Sequence, residues 1–458
     1  MLYSILKFVI KIALKVFFKS VKVKNQDLIP DKGPMIVVSN HPNTFMDPII
    51  LASLLKPQVH FLANASIFNS SFTKWLFAKL NMIPIQRKHD TNKEKFDNNK
   101  IFEKCYEFLG KKGTIMIFPE GTSIRVRRLQ QIKTGTARIA LGAEENYNFD
   151  LGLKIVTIGL NYSKPESFRS EVFVSVDEPI DVSKYKEIFL KDEFEAARQL
   201  TEEIRSNLEE HIIITSNDEE DRLAHQIEEV YKHKLSKDIQ LSPEEKEQDY
   251  LITKGIVDAV RHFEEKEPER IKDFKPKIHN YLKNLKRLDL SDEVFIKEVK
   301  NQGLFWASLQ TAVYFIIGFP LFIYGSINNY IPYIIPSKVA IKLVKMTEVE
   351  EYMAPVMLIT GIFTFSFFYI LQIVLMHLIF GNWWITLAYF VSLPISGFFA
   401  LFYANYLYDA RDNWRLFTLF FKRASLVSSL IEQRKNILKV LEKAKEDYLA
   451  FYQKEEQA

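Results

Sequence analysis

Short apolar runs alternate with amphipathic stretches over residues 33–215. MIVV at 35–38, HFLA at 60–63, MIPI at 82–85, TIMIF at 114–118, KIVTIGL at 154–160 and EVFVSV at 171–176 are strand-like. Residues 48–55, 72–80, 97–109 and 135–143 repeat their apolar positions at helical spacing. Strands alternating with helices predict an α/β domain with a mostly parallel sheet, here over residues 25–215. In such a domain functional groups collect on the loops at strand ends.

The pattern changes at residue 301. Residues 301–337 carry no charged side chain and are interrupted at Gly318-Phe319-Pro320. Residues 354–380 and 381–408 are two further uncharged stretches, joined at Gly381-Asn382-Trp383-Trp384. A bilayer span takes about 20 apolar residues, and each stretch is long enough. Trp383, Trp384, Tyr406 and Tyr408 stand where interfacial aromatics would lie. Residues 301–408 are therefore read as a membrane region, with 354–380 and 381–408 as a transmembrane hairpin. Residues 301–337 either span the bilayer or dip in and return. The basic N-terminal arm, the basic loop 338–345 and Arg411, Arg415, Lys422 and Arg423 are expected on the cytoplasmic face, together with the α/β domain.

The flanks are polar. Over residues 1–24, Lys7, Lys11, Lys15 and Lys19 recur every fourth position among Leu, Ile, Val and Phe. This reads as an amphipathic helix in the membrane interface, with packing on its own domain as the alternative. Residues 216–300 read as a charged helical connector, with a helix start at Ser242-Pro243-Glu244-Glu245. Residues 409–458 read as a cytoplasmic helical tail, either solvated or self-associating. Copies of the chain would then pair through the tail or the membrane region. A net charge of +4 on 458 residues is too small to suggest nucleic acid. The single cysteine, Cys105, excludes an internal disulfide and sits in a helical pattern as core filler. No His/Cys cluster suggests a metal, and no Gly-x-Ser-x-Gly elbow suggests a serine hydrolase.

Candidate chemistry lies on four strand ends. The first is VVSNHPNTFMDP at 37–48, which carries Asn40, His41, Asn43 and Asp47. A neutral His takes a hydroxyl proton near pH 7, and a carboxylate on its other nitrogen fixes the tautomer. Asp47 is the nearby acid; Asn43 or a backbone carbonyl is the alternative orienter. The second is Ile83-Pro84-Ile85-Gln86-Arg87, whose terminal guanidinium suits a phosphate. The third is Ile117-Phe118-Pro119-Glu120-Gly121-Thr122-Ser123, followed by Arg125, Arg127, Arg128 and Lys133, a basic patch without an acid. The fourth is Gly159-Leu160-Asn161-Tyr162.

In order, these blocks resemble those of the glycerophospholipid (PlsC-type) acyltransferases, a family that includes the lysophosphatidate acyltransferases. The resemblance covers residues 33–180. NHPNTFMDP, IKTGTARIAL and GLNYSKPESFRSEVFVSVDEPI look most like the fungal-type glycerol-3-phosphate/dihydroxyacetone-phosphate acyltransferases. The gap between His41 and Asp47 is one residue longer than is usual in the family, and Thr157 stands where its fourth block usually has proline.

The resemblance implies an α/β acyltransferase domain, a helical connector and an α-helical membrane region. It implies His41 as general base and Asp47 as its partner, with Arg87 on the acceptor's phosphate. Glu120, Gly121, Thr122 and Ser123 would meet the glycerol backbone, and Asn40 and Lys133 would join the substrate site. The expected reaction needs no cofactor or metal. It moves a fatty acyl group from acyl-CoA or acyl-carrier protein to glycerol-3-phosphate or 1-acylglycerol-3-phosphate in phospholipid synthesis. Another lysolipid or an amino-lipid is the alternative acceptor, and a non-catalytic membrane scaffold the alternative class.

Overall fold

The computed structural model describes residues 2–65, 68, 70–85, 98–238, 247–295 and 304–455. The chain divides into two compact units. One comprises Met1–Ile214, Pro243–Tyr250 and Ala340–Leu358; the other comprises Thr215–Ser242, Leu251–Val339 and Ile359–Ala458.

The first unit holds α1 (Leu2–Phe17), β1 (Ser20–Lys24), β2 (Met35–Ser39), α2 (Met46–Leu54), β3 (Val59–Asn64), α3 (Ser71–Lys79), β4 (Met82–Ile85), α4 (Asn98–Gly110), β5 (Thr114–Ile117), α5 (Gly135–Asn146), β6 (Lys154–Tyr162), β7 (Glu171–Val176), β8 (Ile180–Asp181), α6 (Lys186–Lys191) and α7 (Glu193–His211). The sheet order is β1-β7-β6-β2-β5-β3-β4, with β8 also on β6. Strands β6, β2, β5, β3 and β4 pair parallel, and β7 and β8 lie antiparallel to β6. The mostly parallel sheet expected from the alternation is therefore present. Met35, Ile36, Val37 and Val38 are fully buried, as a central parallel strand covered on both faces requires. One core cluster joins Ile36 and Val38 to Ile115, to Cys105 and Leu109 of α4, to Ala137 and Leu141 of α5, and to Leu200 and Ile204 of α7.

Burial pushes the Cys105 thiol up to about 12. It should therefore resist iodoacetamide at pH 8 in the folded chain and react fully in denaturant. Rapid alkylation of folded protein, read by mass spectrometry, would contradict that placement.

The stretch expected as one helix over 1–24 is divided. The helix stops at Phe17, and Ser20–Lys24 is an edge strand parallel to β7. Val21 and Val23 alternate there with Lys22 and Lys24, a period of two that the lysine rhythm concealed. Lys19 pairs instead with Glu171 at 2.9 Å. Helix α1 lies on α2, with Leu14 and Phe17 buried and Lys7 donating to the Leu55 carbonyl. Its other side leaves Ile5, Phe8, Val9, Ile12 and Val16 exposed. Those positions form one apolar stripe at helical spacing.

The second half of the chain is helical: α8 (Asp218–Asp238), α9 (Gln248–Lys266), α10 (Pro268–Arg287), α11 (Leu304–Thr347), α12 (Met353–Phe380), α13 (Trp383–Lys422) and α14 (Ala424–Glu455). The expected helix start at Ser242 to Glu245 lies outside the described residues. The region read as a charged helical connector has its own core. Ile271, Phe274, Ile278, Tyr281 and Leu285 of α10 are buried at alternating spacings of three and four. Helix α14, read as a solvated or self-associating tail, packs on α8 and α10 and buries Val427, Leu430, Ile437 and Leu441. Arg434 forks onto Asp292 at 2.9 Å for both bonds, and Tyr281 donates to the same carboxylate at 2.6 Å.

Helix α11 runs unbroken through Gly318-Phe319-Pro320, where a break was expected. A proline removes one donor, and in an apolar setting the remaining helical bonds are the only partners the backbone has. Gly318 serves packing: a Cβ there would meet the Tyr403 ring at 2.9 Å. Two described helical segments, Glu350–Phe380 and Trp383–Asp412, are long and apolar enough to cross a membrane.

Candidate active site

Because β2, β5 and β6 are adjacent and parallel, their carboxyl ends open onto one edge of the sheet. The first, third and fourth sequence blocks meet there. Asn40 follows β2 and extends its pairing by side chain. Its carboxamide accepts from the Leu160 N–H at 2.8 Å and donates to the Leu160 carbonyl at 2.9 Å. This fixes the start of the turn that carries His41.

The His41 ring lies flat on Phe118, with centroids 4.0 Å apart and planes 16° apart. Its Nδ1 is 2.8 Å from Asp47 Oδ2. Asp47 is fully buried in the first turn of α2, and the same oxygen accepts from the Asn43 N–H at 2.8 Å. The extra residue between His41 and Asp47 is absorbed in the turn, where Thr44 takes a φ of 35°. Asn43, the alternative orienter, donates its side chain to the Pro165 carbonyl at 2.8 Å instead. With Nδ1–H given to Asp47, Nε2 is the basic ring nitrogen.

Glu120 is buried, and both its oxygens are engaged by the chain itself. Oε1 accepts from the His41 N–H at 2.8 Å and Oε2 from the Gln130 N–H at 2.9 Å. Burial pushes its carboxyl up, while these two N–H donors and the neighbouring His41 pull it down. Glu120 and Asn40, expected on the substrate, each bond within the chain, Glu120 to the His41 and Gln130 N–H groups and Asn40 to the Leu160 backbone. Ser123 Oγ accepts from the Thr44 N–H at 2.9 Å. Gly121 has a φ of 68°, and a Cβ there would stand 2.7 Å from Lys133 Nζ. Thr122 and Lys133 are exposed. Strand β4 ends at the same edge of the sheet, but Arg87 beyond it lies outside the described residues.

Some contacts of the site were not legible in the sequence. Tyr162, at the end of β6, donates to Asp47 Oδ1 at 2.6 Å. The turn at Glu350–Tyr352 also reaches the His41 loop. Thr44 Oγ1 donates to the Glu351 carbonyl at 2.9 Å, and Tyr352 stacks on Phe45. The Arg125 N–H donates to Glu351 Oε1 at 3.1 Å, and its guanidinium pairs with Glu350. The basic patch read as lacking an acid thus receives two from residues more than 220 positions away.

Residues 20–161 match the family model described as Acyltransferase. The chain is 28% identical over 236 residues to glycerol-3-phosphate O-acyltransferase 1 of Saccharomyces cerevisiae, covering 49% of this chain and 30% of that protein. It is 35% identical over 116 residues to glycerol-3-phosphate O-acyltransferase 2 of the same yeast, covering 25% and 16% respectively. It is 27% identical over 124 residues to the chloroplastic 1-acyl-sn-glycerol-3-phosphate acyltransferase LPAT1 of Arabidopsis thaliana, covering 27% and 33%. Among solved structures it is similar to the 1-acyl-sn-glycerophosphate acyltransferase PlsC of Thermotoga maritima. That match has a TM-score of 0.33 at 20% identity and covers 45% of this chain and 79% of that one. The chain spans less than a third of the length of the two yeast relatives.

Proposed function

We propose that the chain is a membrane-bound O-acyltransferase acting in phospholipid synthesis. It moves a fatty acyl group from acyl-CoA or acyl-carrier protein to a hydroxyl of glycerol-3-phosphate or 1-acylglycerol-3-phosphate. The observation that carries this is the His41–Asp47 pair, held beside the Pro-Glu-Gly-Thr turn at the carboxyl edge of an acyltransferase-type sheet. His41 Nε2 takes the acceptor's hydroxyl proton as its oxygen attacks the thioester carbonyl. The C–S bond breaks, and the imidazolium returns the proton to the departing thiolate. Asp47 stabilises the imidazolium between these steps.

Gly121, Thr122, Ser123 and Lys133 border the acceptor, and Arg87 grips its phosphate. Glu120 and Asn40 keep His41 in place. The membrane reading is supported by the exposed stripe of α1 and by Phe363, Phe367, Ile370, Leu378 and Ile379, all large apolar side chains exposed on α12. A site at the bilayer surface need not extract its lipid product into water.

A panel of acceptors tests the substrate class. Glycerol-3-phosphate and 1-acylglycerol-3-phosphate should accept label, whereas glycerol and monoacylglycerol should accept little. Equal rates on the phosphate-free acceptors would sink the proposal. Gly121→Ala should raise the acceptor KM several-fold, because its Cβ is strained at that φ and displaces the Lys133 ammonium. An unchanged KM would remove Lys133 from the acceptor site.

A further inference from the structure

Asp47 is a fully buried carboxylate ringed by hydrogen-bond donors. His41 Nδ1–H and the Asn43 N–H both reach Oδ2, at 2.8 Å each. The other oxygen, Oδ1, accepts the Tyr162 hydroxyl at 2.6 Å. That bond joins residues 115 positions apart and bridges from α2 to the end of β6. The titratable groups that bear on Asp47 are His41 and Tyr162 by hydrogen bond and Glu120 through space.

We infer that Tyr162 is a positioning residue for acyl transfer: its hydroxyl holds the Asp47 carboxylate aimed at His41. The inference rests on His41 being the base, as proposed above. A hydrogen bond to the ionised form of a buried carboxylate favours that form. The phenol also draws part of the carboxylate's charge away from the imidazole, so His41 can release as well as accept its proton during a turnover. Desolvation and the adjacent Asp47 charge hold the Tyr162 proton well above the ordinary phenol range, so Tyr162 stays a donor throughout the working pH range. Asn40 fastens the same strand end through the Leu160 backbone, so the position of Tyr162 is tied to that of the His41 turn.

Tyr162→Phe removes one oxygen and keeps the ring, which leaves Oδ1 without this donor. The His41–Asp47 pair should then hold its proton to higher pH. The acidic limb of the kcat/KM profile should move up by at least half a pH unit. At neutral pH kcat should fall several-fold with the acceptor KM unchanged. The full chain in phospholipid vesicles is assayed with labelled acyl-CoA and glycerol-3-phosphate across pH, and thermal melting checks that the variant is folded. The same substitution is repeated in an Asp47→Asn background, where a residue acting through the carboxylate should have little left to remove. An unshifted profile, or an equal loss in both backgrounds, would overturn the positioning role. Failure of the base assignment looks different: His41→Ala would then retain its rate whatever Tyr162→Phe does.

Discussion

Replacing His41 with alanine should lower acyl transfer by roughly 10²–10⁴-fold, the range a positioned general base supplies. The loss should be catalytic, with the fold retained. The bond that ties residue 41 to the third block runs from its backbone N–H to Glu120, and alanine keeps that bond. The imidazole is partly exposed and contributes stacking on Phe118 and the link to Asp47. Thermal melting of wild type and variant should therefore be close while initial rates differ by orders of magnitude. A rate within threefold of wild type would remove His41 from the chemistry. The loss should fall on kcat, because the substitution takes away a proton acceptor and leaves the acceptor-binding residues in place.

Asp47→Asn should be nearly as damaging, by roughly 10²–10⁴-fold, for a different reason. The carboxylate accepts from three donors: His41 Nδ1–H, the Asn43 N–H and the Tyr162 hydroxyl. An amide has one oxygen for them, and its NH2 would face a donor or the imidazole. Where that NH2 points at Nδ1, it moves the imidazole proton to Nε2, the nitrogen that must be free to act as base. The site is fully buried, so the misfit also costs about 1–3 kcal/mol of stability. Rates are therefore compared per folded molecule, with the folded fraction measured by circular dichroism. Near-normal turnover of folded Asp47→Asn would show that the imidazole needs no carboxylate.

The α/β architecture was legible because its strands are short apolar runs between turns, and because β2, buried throughout, must read that way. The His41 turn was legible as a block of residue types. The long gap before Asp47 left its partner open, since whether a carboxylate reaches Nδ1 depends on one turn at Thr44 that spacing alone does not specify. Glu120 was found, but its partners within the chain were not. Its carboxylate meets backbone N–H groups of His41 and Gln130, and backbone donors are the same at every residue.

The contact of Tyr162 with Asp47 and that of the Glu350–Tyr352 turn with the His41 loop were invisible for a related reason. The partners lie across the chain, and only the parallel pairing of β2 with β6 brings Tyr162 to Asp47. Two misreadings share another cause, a strong local signal masking a weaker one. Four lysines hid the alternation of Val21 and Val23, and the charge of residues 216–300 hid the buried seam on α10.

His41 is proposed to activate a glycerol-phosphate hydroxyl toward an acyl thioester. The most direct measurement uses the purified full chain in phospholipid vesicles, given acyl-CoA and either labelled glycerol-3-phosphate or labelled 1-acylglycerol-3-phosphate. Label is followed into acylated product after lipid separation. Donor-dependent acylation of at least one of these acceptors is expected from the wild-type chain, and almost none from His41→Ala. No acylated product from either acceptor, or equal product from His41→Ala, would contradict it.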